Sequence, residues 1–284
     1  MASTLIAHIT DIHLPPFPDN SKPKNIKQFL GYLSWNKKRK YTHSEHVLKL
    51  LKDDLQALNC DHFCVTGDQT NLGTEQEFKN ASKWLQDLGS PDKVSVVPGN
   101  HDAYGKDYIE LEKLYWSPWM LDKTSNQVGL PFVRRTGDVA LIGVSSAVRT
   151  APFMADGRII PAQYEAMEDM MASFEDHQDY YKIVMIHHPP LCGVTSWRRG
   201  LHDVKKFQDF LKKHGIDMVM YGHLHRPLFH KMSYQNKELL FLGAGSASSN
   251  GHKMRPAQYY LIQVDDDGGS KKVDIKSRAY NPDK

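Results

Sequence analysis

The sequence predicts an α/β protein with parallel sheet segments, and three observations support this. Apolar, partly β-branched runs at Leu5–Thr10, Phe63–Thr66, Val94–Pro98, Lys182–Ile186 and Asp217–Tyr221 are short and bounded by turn residues, as buried strands are. Stretches with apolar residues at helical spacing separate the first three runs, which gives the strand–helix alternation of βαβ units. Each run also ends in polar punctuation: Asp11 and His13, Gly67-Asp68, Gly99-Asn100-His101-Asp102, His187-His188, and Gly222-His223-Leu224-His225. Sites in α/β sheets gather at the carboxyl ends of strands, so these residues are expected on one rim.

Taken in order, the first strand is followed by an extended Leu14-Pro15-Pro16-Phe17-Pro18 and a polar, aromatic stretch to about Thr42. A helix is expected from Ser44 to Asn59, with Leu48, Leu51, Leu55 and Leu58 on one face. Thr74 and Glu77 form a capping box ahead of a helix striped by Phe78, Ala81, Leu85 and Leu88. Gly89 and Pro91 stop that helix. The reading is poor from Tyr104 to Arg135, where Trp116 and Trp119 are expected to pack under a loop. Val139–Ser145 reads as a strand. Pro161 suits the first turn of a helix that runs to about Phe174, with Tyr164, Met167, Met171 and Phe174 inward. Asp203 is expected to cap a helix that buries Val204, Phe207, Phe210 and Leu211 and closes at His214-Gly215. Short strands follow at 228–233, 238–242, 259–264 and 272–275, with a hairpin turn at Asp265–Gly269. No repeat or linker divides the 284 residues, so one domain over 1–284 is expected, with 14–42 as an inserted lid-like segment.

Composition narrows the classes. Hydrophobic residues at 40% and charged residues at 24% suit a globular chain with a sizeable core. A net charge of +3 is a weak basis for binding nucleic acid, and no nucleic acid duplex is expected as a partner. Met1-Ala2-Ser3-Thr4 lacks a basic leader, and no stretch approaches a membrane span. Cys60, Cys64 and Cys192 form no redox pair, so a cytoplasmic location is expected.

The punctuations themselves are metal-ligand types: two carboxylates (Asp11, Asp68), one carboxamide (Asn100) and imidazoles at His13, His187, His223 and His225. Oxygen and imidazole donors without thiolate suit Mn, Fe or Zn. Asp11-x-His13 and His223-x-His225 each place two donors on one side of a strand end. If Asp68 bridges two ions, each ion gains four protein ligands. Paired divalent or mixed-valence ions, with a bridging hydroxide as nucleophile, favour a phosphate ester and its more charged transition state.

Asp11-Ile12-His13, Gly67-Asp68, Gly99-Asn100-His101-Asp102, His187 and Gly222-His223-Leu224-His225 together resemble the five ordered motifs of the calcineurin-like metallophosphoesterase superfamily. The resemblance implies a four-layer α/β/β/α sandwich with two mixed β-sheets. It implies Asp11, His13, Asp68 and His225 on one metal, and Asp68, Asn100, His187 and His223 on the other. Asn100 and His101 would contact substrate, with His101 donating to a phosphoryl oxygen or to the leaving group. His187 is preferred to His188 because the family commonly keeps the first position. His187-His188-Pro189-Pro190 and the small size resemble the bacterial branch with class III cyclic nucleotide phosphodiesterases. Protein serine/threonine phosphatases carry an Asp-Arg that Gln69–Gly73 lacks, and hydrolases of the UDP-diacylglucosamine pyrophosphate usually have Arg where His101 stands.

The leading reading is therefore a dinuclear phosphodiesterase acting on a small phosphate ester, cyclic nucleotides among the candidates. The alternatives are a phosphomonoesterase, a phospholipid-headgroup hydrolase, or a non-catalytic scaffold. Arg149, Arg158, Arg198, Arg199, Arg226 and Arg255 lie on expected loops, where one or two have the chemistry to fork onto phosphate. Asp102 has two readings, orienting His101 or a neighbour, or shaping a turn. His8 and Cys64 read as buried core groups. In 14–42, a helix from Asn25 to Trp35 would set Ile26, Phe29, Leu30 and Leu33 on one face, ahead of Lys37-Lys38-Arg39-Lys40. That face either packs on the domain or serves a lid whose cations meet an anionic substrate or, through 25–40, a membrane surface.

Overall fold

The computed structural model describes residues 3–18, 22–121, 129–173, 180–251 and 255–280. Two mixed sheets form its centre. The first contains β1 (Ser3–Ile9), β2 (His62–Thr66), β3 (Val94–Val97), β10 (Gln258–Asp266) and β11 (Lys271–Ala279), in the order β11-β10-β1-β2-β3. The second contains β4 (Phe132–Thr136), β5 (Val139–Gly143), β6 (Tyr181–Met185), β7 (Met218–Tyr221), β8 (Leu228–Tyr234) and β9 (Lys237–Gly243), in the order β4-β5-β6-β7-β9-β8. β1, β2 and β3 are mutually parallel, as are β5, β6, β7 and β9; β10 runs antiparallel to β1 and β11, and β4 and β8 run antiparallel to β5 and β9 at the two edges of the second sheet.

Side chains alternate across the strands, so each sheet has two faces to cover. Leu141, Ile183, Met185 and Met218 of the second sheet join Ile6, Val65 and Val96 of the first in one apolar cluster. On the outer side of the first sheet lie α2 (Glu45–Ala57), with Leu48, Leu51 and Leu55 inward, and α3 (Glu75–Leu88), with Phe78, Ala81, Leu85 and Leu88 inward. On the outer side of the second lie α5 (Pro161–Ser173) and α6 (Val204–Lys213), where Met167, Met171, Phe207 and Phe210 cover Ile142, Val184 and Val219. The expected four layers result. The capping box forms: Thr74 Oγ1 accepts from Glu77 N, and the Glu77 carboxylate accepts from Thr74 N at 3.0 Å. The same carboxylate takes Asn71 N at 2.8 Å, which pins the loop after β2.

Several expectations change. The stretch from 104 to 135 holds α4 (Tyr108–Trp116), a 3₁₀ turn Ser117–Met120 and β4. Trp116 ends α4 and packs on Phe78 with ring centroids 4.4 Å apart, a helix-to-helix contact rather than a loop cover. Asp203 precedes α6 but makes no side-chain cap; its backbone is left-handed, with φ 54°, which turns the carboxylate away from the first turn. Phe174 lies outside the described residues.

The largest difference concerns α1 (Ile26–Lys37). It forms, capped by the Asn25 side chain, but its expected apolar face does not pack: Ile26, Phe29 and Leu33 are exposed, and Lys27, Gln28 and Trp35 are buried instead. Polar anchors decide this, because Gln28 donates to Leu72 O at 3.0 Å and Lys27 to Met154 O at 3.1 Å. No helix among the described residues is long and apolar enough to cross a membrane.

Candidate metal centre

All seven expected ligands converge at the carboxyl ends of β1, β2, β3, β6 and β7. Among the described residues three groups of donors form: Asp11/His13/Asp68/His225 and Asp68/His187/His223, with Asp68 common to both, and His13/His43/His225; all of these are buried except the half-exposed His225. The backbone there is unusual: Asp11, His13, Asp68, His223 and His225 all have positive φ. Such left-handed non-glycine residues cluster where a functional geometry is held by its surroundings. Two glycines make room for them. A Cβ on Gly67, φ +97°, would run into the His187 ring, and one on Gly99 would meet the Asp68 carboxylate.

Backbone carbonyls set the imidazole tautomers. His13 Nδ1–H donates to Thr70 O at 3.1 Å, which leaves Nε2 as a lone pair 3.2 Å from His225 Nε2 and 3.7 Å from Asp68 Oδ2. His187 Nδ1–H donates to Thr66 O at 2.8 Å, so its Nε2 faces Asn100 Oδ1 at 3.3 Å and Asp68 Oδ2 at 3.4 Å. His223 Nδ1 meets Asn100 Oδ1 at 2.8 Å. Asp11 Oδ1 is buried with no hydrogen bond and lies 3.2 Å from His225 Nε2. Asp11 Oδ1 and the facing imidazole nitrogens thus crowd acceptors into a buried space that cations would answer, so the donor set fits two metal ions.

The protonation balance differs between the imidazoles. Burial opposes charging His187, but the Asp68 and Asp11 carboxylates outweigh it and hold the imidazole pKa up at about 9. Burial raises the Asp11 pKa, yet His225 and His187 bring it down to about 2. His13 and His223 are pushed well below the ordinary histidine range, by burial first and then by Arg39 and His187 respectively. Without metal, the pocket thus pairs an ionised Asp11 and neutral His13 and His223 with a His187 that is protonated at neutral pH, and His187 must release that proton for its Nε2 to become a ligand.

His101 lies beside this group. Its backbone N donates to Asp68 Oδ1 at 2.8 Å, and its Nδ1–H donates to Asn71 O at 2.7 Å, so Nε2 is the acceptor, which the Tyr104 hydroxyl approaches only at 3.5 Å. Asp102 does not orient it. The Asp102 carboxylate accepts from Gly99 N at 2.8 Å and from Thr70 N and Oγ1 at 2.9 and 2.8 Å, clamping the loops after β2 and β3 together. His188 packs its ring 4.5 Å from that of His223, and its nitrogens are taken by Ser146 Oγ at 2.8 Å and Ala155 O at 3.2 Å. His8 Nε2 meets Thr66 Oγ1 at 2.8 Å inside the sheet.

Two residues were not singled out from sequence. Arg39 brings one guanidinium nitrogen to 3.0 Å from His13 Nδ1 and another to 3.2 Å from His101 Nδ1. Both ring nitrogens already donate to carbonyls, so the guanidinium faces donors and suits an anion in the same space. His43 packs its ring 4.6 Å from that of His13 and is held by Ser248 Oγ at 2.7 Å. Of the six arginines noted on expected loops, Arg255 shares a cavity of about 230 Å³ with Arg39, His43 and His225. The basic run at 37–40 signalled Arg39, but no spacing rule carries it across to β1.

A family model described as calcineurin-like phosphoesterase matches residues 4–227, and the chain belongs to that family. Among solved structures it is similar to a dimetal phosphatase from Danio rerio, at 12% identity and a TM-score of 0.61, covering 98% of this chain and 99% of that one. It is also similar to a purple acid phosphatase from yellow lupin (Lupinus luteus), at 13% identity and a TM-score of 0.57, covering 92% of this chain and 49% of that one. At these identities the likeness is one of fold. No curated protein sequence matches.

Proposed function

We propose that this calcineurin-like phosphoesterase hydrolyses phosphodiesters at a dinuclear centre, with cyclic nucleotides among the esters it accepts. The observation that carries this is Asp68 Oδ2 standing between His13 Nε2 at 3.7 Å and His187 Nε2 at 3.4 Å, the position of a bridging ligand. Asp11, His13, Asp68 and His225 would hold one ion, and Asp68, Asn100, His187 and His223 the other, with Mn, Fe or Zn suited to these donors. When bound, such ions supply Lewis acidity and an activated water.

The chain's own residues do the rest. Thr70 O and Thr66 O hold the imidazoles in their ligating tautomers. Asp102 keeps the loops bearing Asp68 and Asn100 in register. Arg39 steadies the non-bridging phosphoryl oxygens. His101 Nε2 faces the ester, but burial and then Arg39 hold its pKa well below the usual range, so it is neutral before substrate arrives. Anionic substrate raises that pKa and lets Nε2 carry the proton to the leaving oxygen. A cytoplasmic site of action accords with the three free thiols, Cys60, Cys64 and Cys192.

A phosphomonoester is the second reading, favoured by Arg39 and Arg255 bordering one cavity beside His225, because two guanidinium groups suit a dianion. Hydrolysis of bis-p-nitrophenyl phosphate against p-nitrophenyl phosphate, with added manganese, separates the two. Preference for the diester supports the first reading, and preference for the monoester supports the second. Failure of both across Mn, Fe and Zn overturns the enzyme reading in favour of a scaffold.

A further inference from the structure

Three segments beside the metal centre carry large apolar side chains into solvent. On α1, Ile26, Phe29 and Leu33 are 73%, 52% and 40% exposed, and their spacing puts them on one face. In the loop after β5, Phe153 is 83% exposed. Its φ is +66°, an outlier for an aromatic residue. In the loop after β6, Trp197 is 68% exposed, with the Arg198 guanidinium 5.3 Å from its ring centre.

These segments are tied into one border. The buried Lys27 ammonium donates to Thr150 Oγ1 and to Met154 O, fastening α1 to the Phe153 loop. Ala155 N donates to Arg198 O at 2.8 Å and Gly157 N to Gly200 O at 3.0 Å, fastening that loop to the Trp197 segment. Arg39, just beyond α1, reaches His13 and His101, so the border stands at the mouth of the metal centre.

The charge is one-sided. Between Asn20 and His43 there are Lys22, Lys24, Lys27, Lys37, Lys38, Arg39 and Lys40 and no acidic residue. Arg149, Arg198 and Arg199 add to it, all exposed. Asp107 opposes it, and is spent on Lys24 at 3.8 Å.

We propose that this border docks on an anionic membrane surface, with the apolar tips entering the headgroup layer and the lysines and arginines meeting lipid phosphates. Interfacial binding grows with buried apolar area and with attraction to anionic lipid, and this border offers both exposed apolar side chains and basic groups. Ile26 and Pro152 line a cavity of about 570 Å³ between α1 and the Phe153 loop, and its charged lining, Lys24, Lys27, Lys106 and Arg149, is wholly basic, which suits lipid phosphates.

The test is co-sedimentation of the purified chain with phosphatidylcholine vesicles, with and without phosphatidylglycerol. The expected result is binding to the anionic vesicles alone, weakened by salt. The triple variant Ile26→Ser, Phe29→Ser, Phe153→Ser is expected to lose about tenfold or more in partitioning. Its thermal melting and its turnover of soluble bis-p-nitrophenyl phosphate should match the parent. Lys37→Glu with Lys38→Glu is expected to weaken binding separately. No sedimentation of the parent, equal binding to neutral vesicles, or undiminished binding of the triple variant would each overturn the proposal. So would concentration-dependent self-association that the triple variant disperses, since the face would then belong to a second copy. Sedimentation needs no catalysis, so its outcome is independent of the phosphodiesterase reading.

Discussion

Two regions border the metal centre, and they are built on opposite terms. The cradle of strand-end loops is largely buried and carries left-handed backbone at Asp11, His13, Asp68, His223 and His225; it leaves Asp11 Oδ1 and His223 Nε2 buried without a hydrogen bond, as ligands awaiting an ion would be. The α1 border is exposed on its apolar side and anchored by polar contacts on its inner side. A cradle must hold donors at fixed separations, so local strain and desolvation are tolerated there. A border that meets substrate or a surface needs reach and charge more than rigidity. The comparison teaches that closeness to the metals does not make two regions alike: substitutions in the cradle should act on metal occupancy, and substitutions at the border on binding.

The largest break should come from the centre of the cradle. Asp68→Ala removes the shared carboxylate, and we expect loss of both ions and of detectable turnover. Elemental analysis that still finds both ions in the variant would sink the bridging role.

Next is His101, which touches both regions through Asp68 Oδ1 and Arg39. His101→Ala should retain metal and lose about 10²–10⁴-fold in turnover of alkyl esters, with a smaller loss for p-nitrophenyl esters. Equal losses for both would leave only charge stabilisation to this residue.

Arg39 sharpens the division, because it belongs to the border in sequence and reaches the cradle in space. Arg39→Ala should leave metal content unchanged and lower kcat/KM by about 10²-fold, the scale for removing one preorganised donor. Weaker competition by inorganic phosphate should accompany it. Metal loss in this variant would place Arg39 with the cradle instead.

The smallest effect lies behind the cradle and concerns stability. Burial, against the pull of Asp11, lowers the His8 pKa from 6.5 to about 3. Between those values the unfolded chain binds a proton that the folded chain refuses. The contribution is therefore complete above pH 6.5 and is lost as pH falls toward 3. At pH 4 the loss is about 3 kcal/mol. His8→Gln should flatten the fall in urea midpoint between pH 7 and pH 4. A slope identical to the parent's would show that His8 is not held neutral.

Much of the cradle was legible before any coordinates. Capping at Thr74/Glu77, the stripe Phe78/Ala81/Leu85/Leu88 and the strand-end motifs are local signals that chain neighbours can satisfy among themselves. Asp11, Asp68, Asn100, His187 and His223 then meet because parallel strands deliver their carboxyl ends to one edge. The α1 stripe misled for a physical reason. Helical spacing says that Ile26, Phe29 and Leu33 share a side, but not which side faces the protein. That was decided by Gln28 meeting Leu72 O and by Lys27 meeting Met154 O, partners more than forty residues away.

The sequence by itself determined the α/β class with parallel sheet segments, the order of the motifs and the donor types, because periodicity, capping and residue chemistry act over a few residues; the two sheets came only with the family resemblance that those motifs carry. Only the tertiary structure decided that Arg39 joins His13 and His101, that Asp102 clamps two loops rather than aiming His101, and that Phe153 and Trp197 stand beside α1. Those pairings join segments across the chain, and their geometry comes from how the sheets stack and the loops close, which no local pattern encodes.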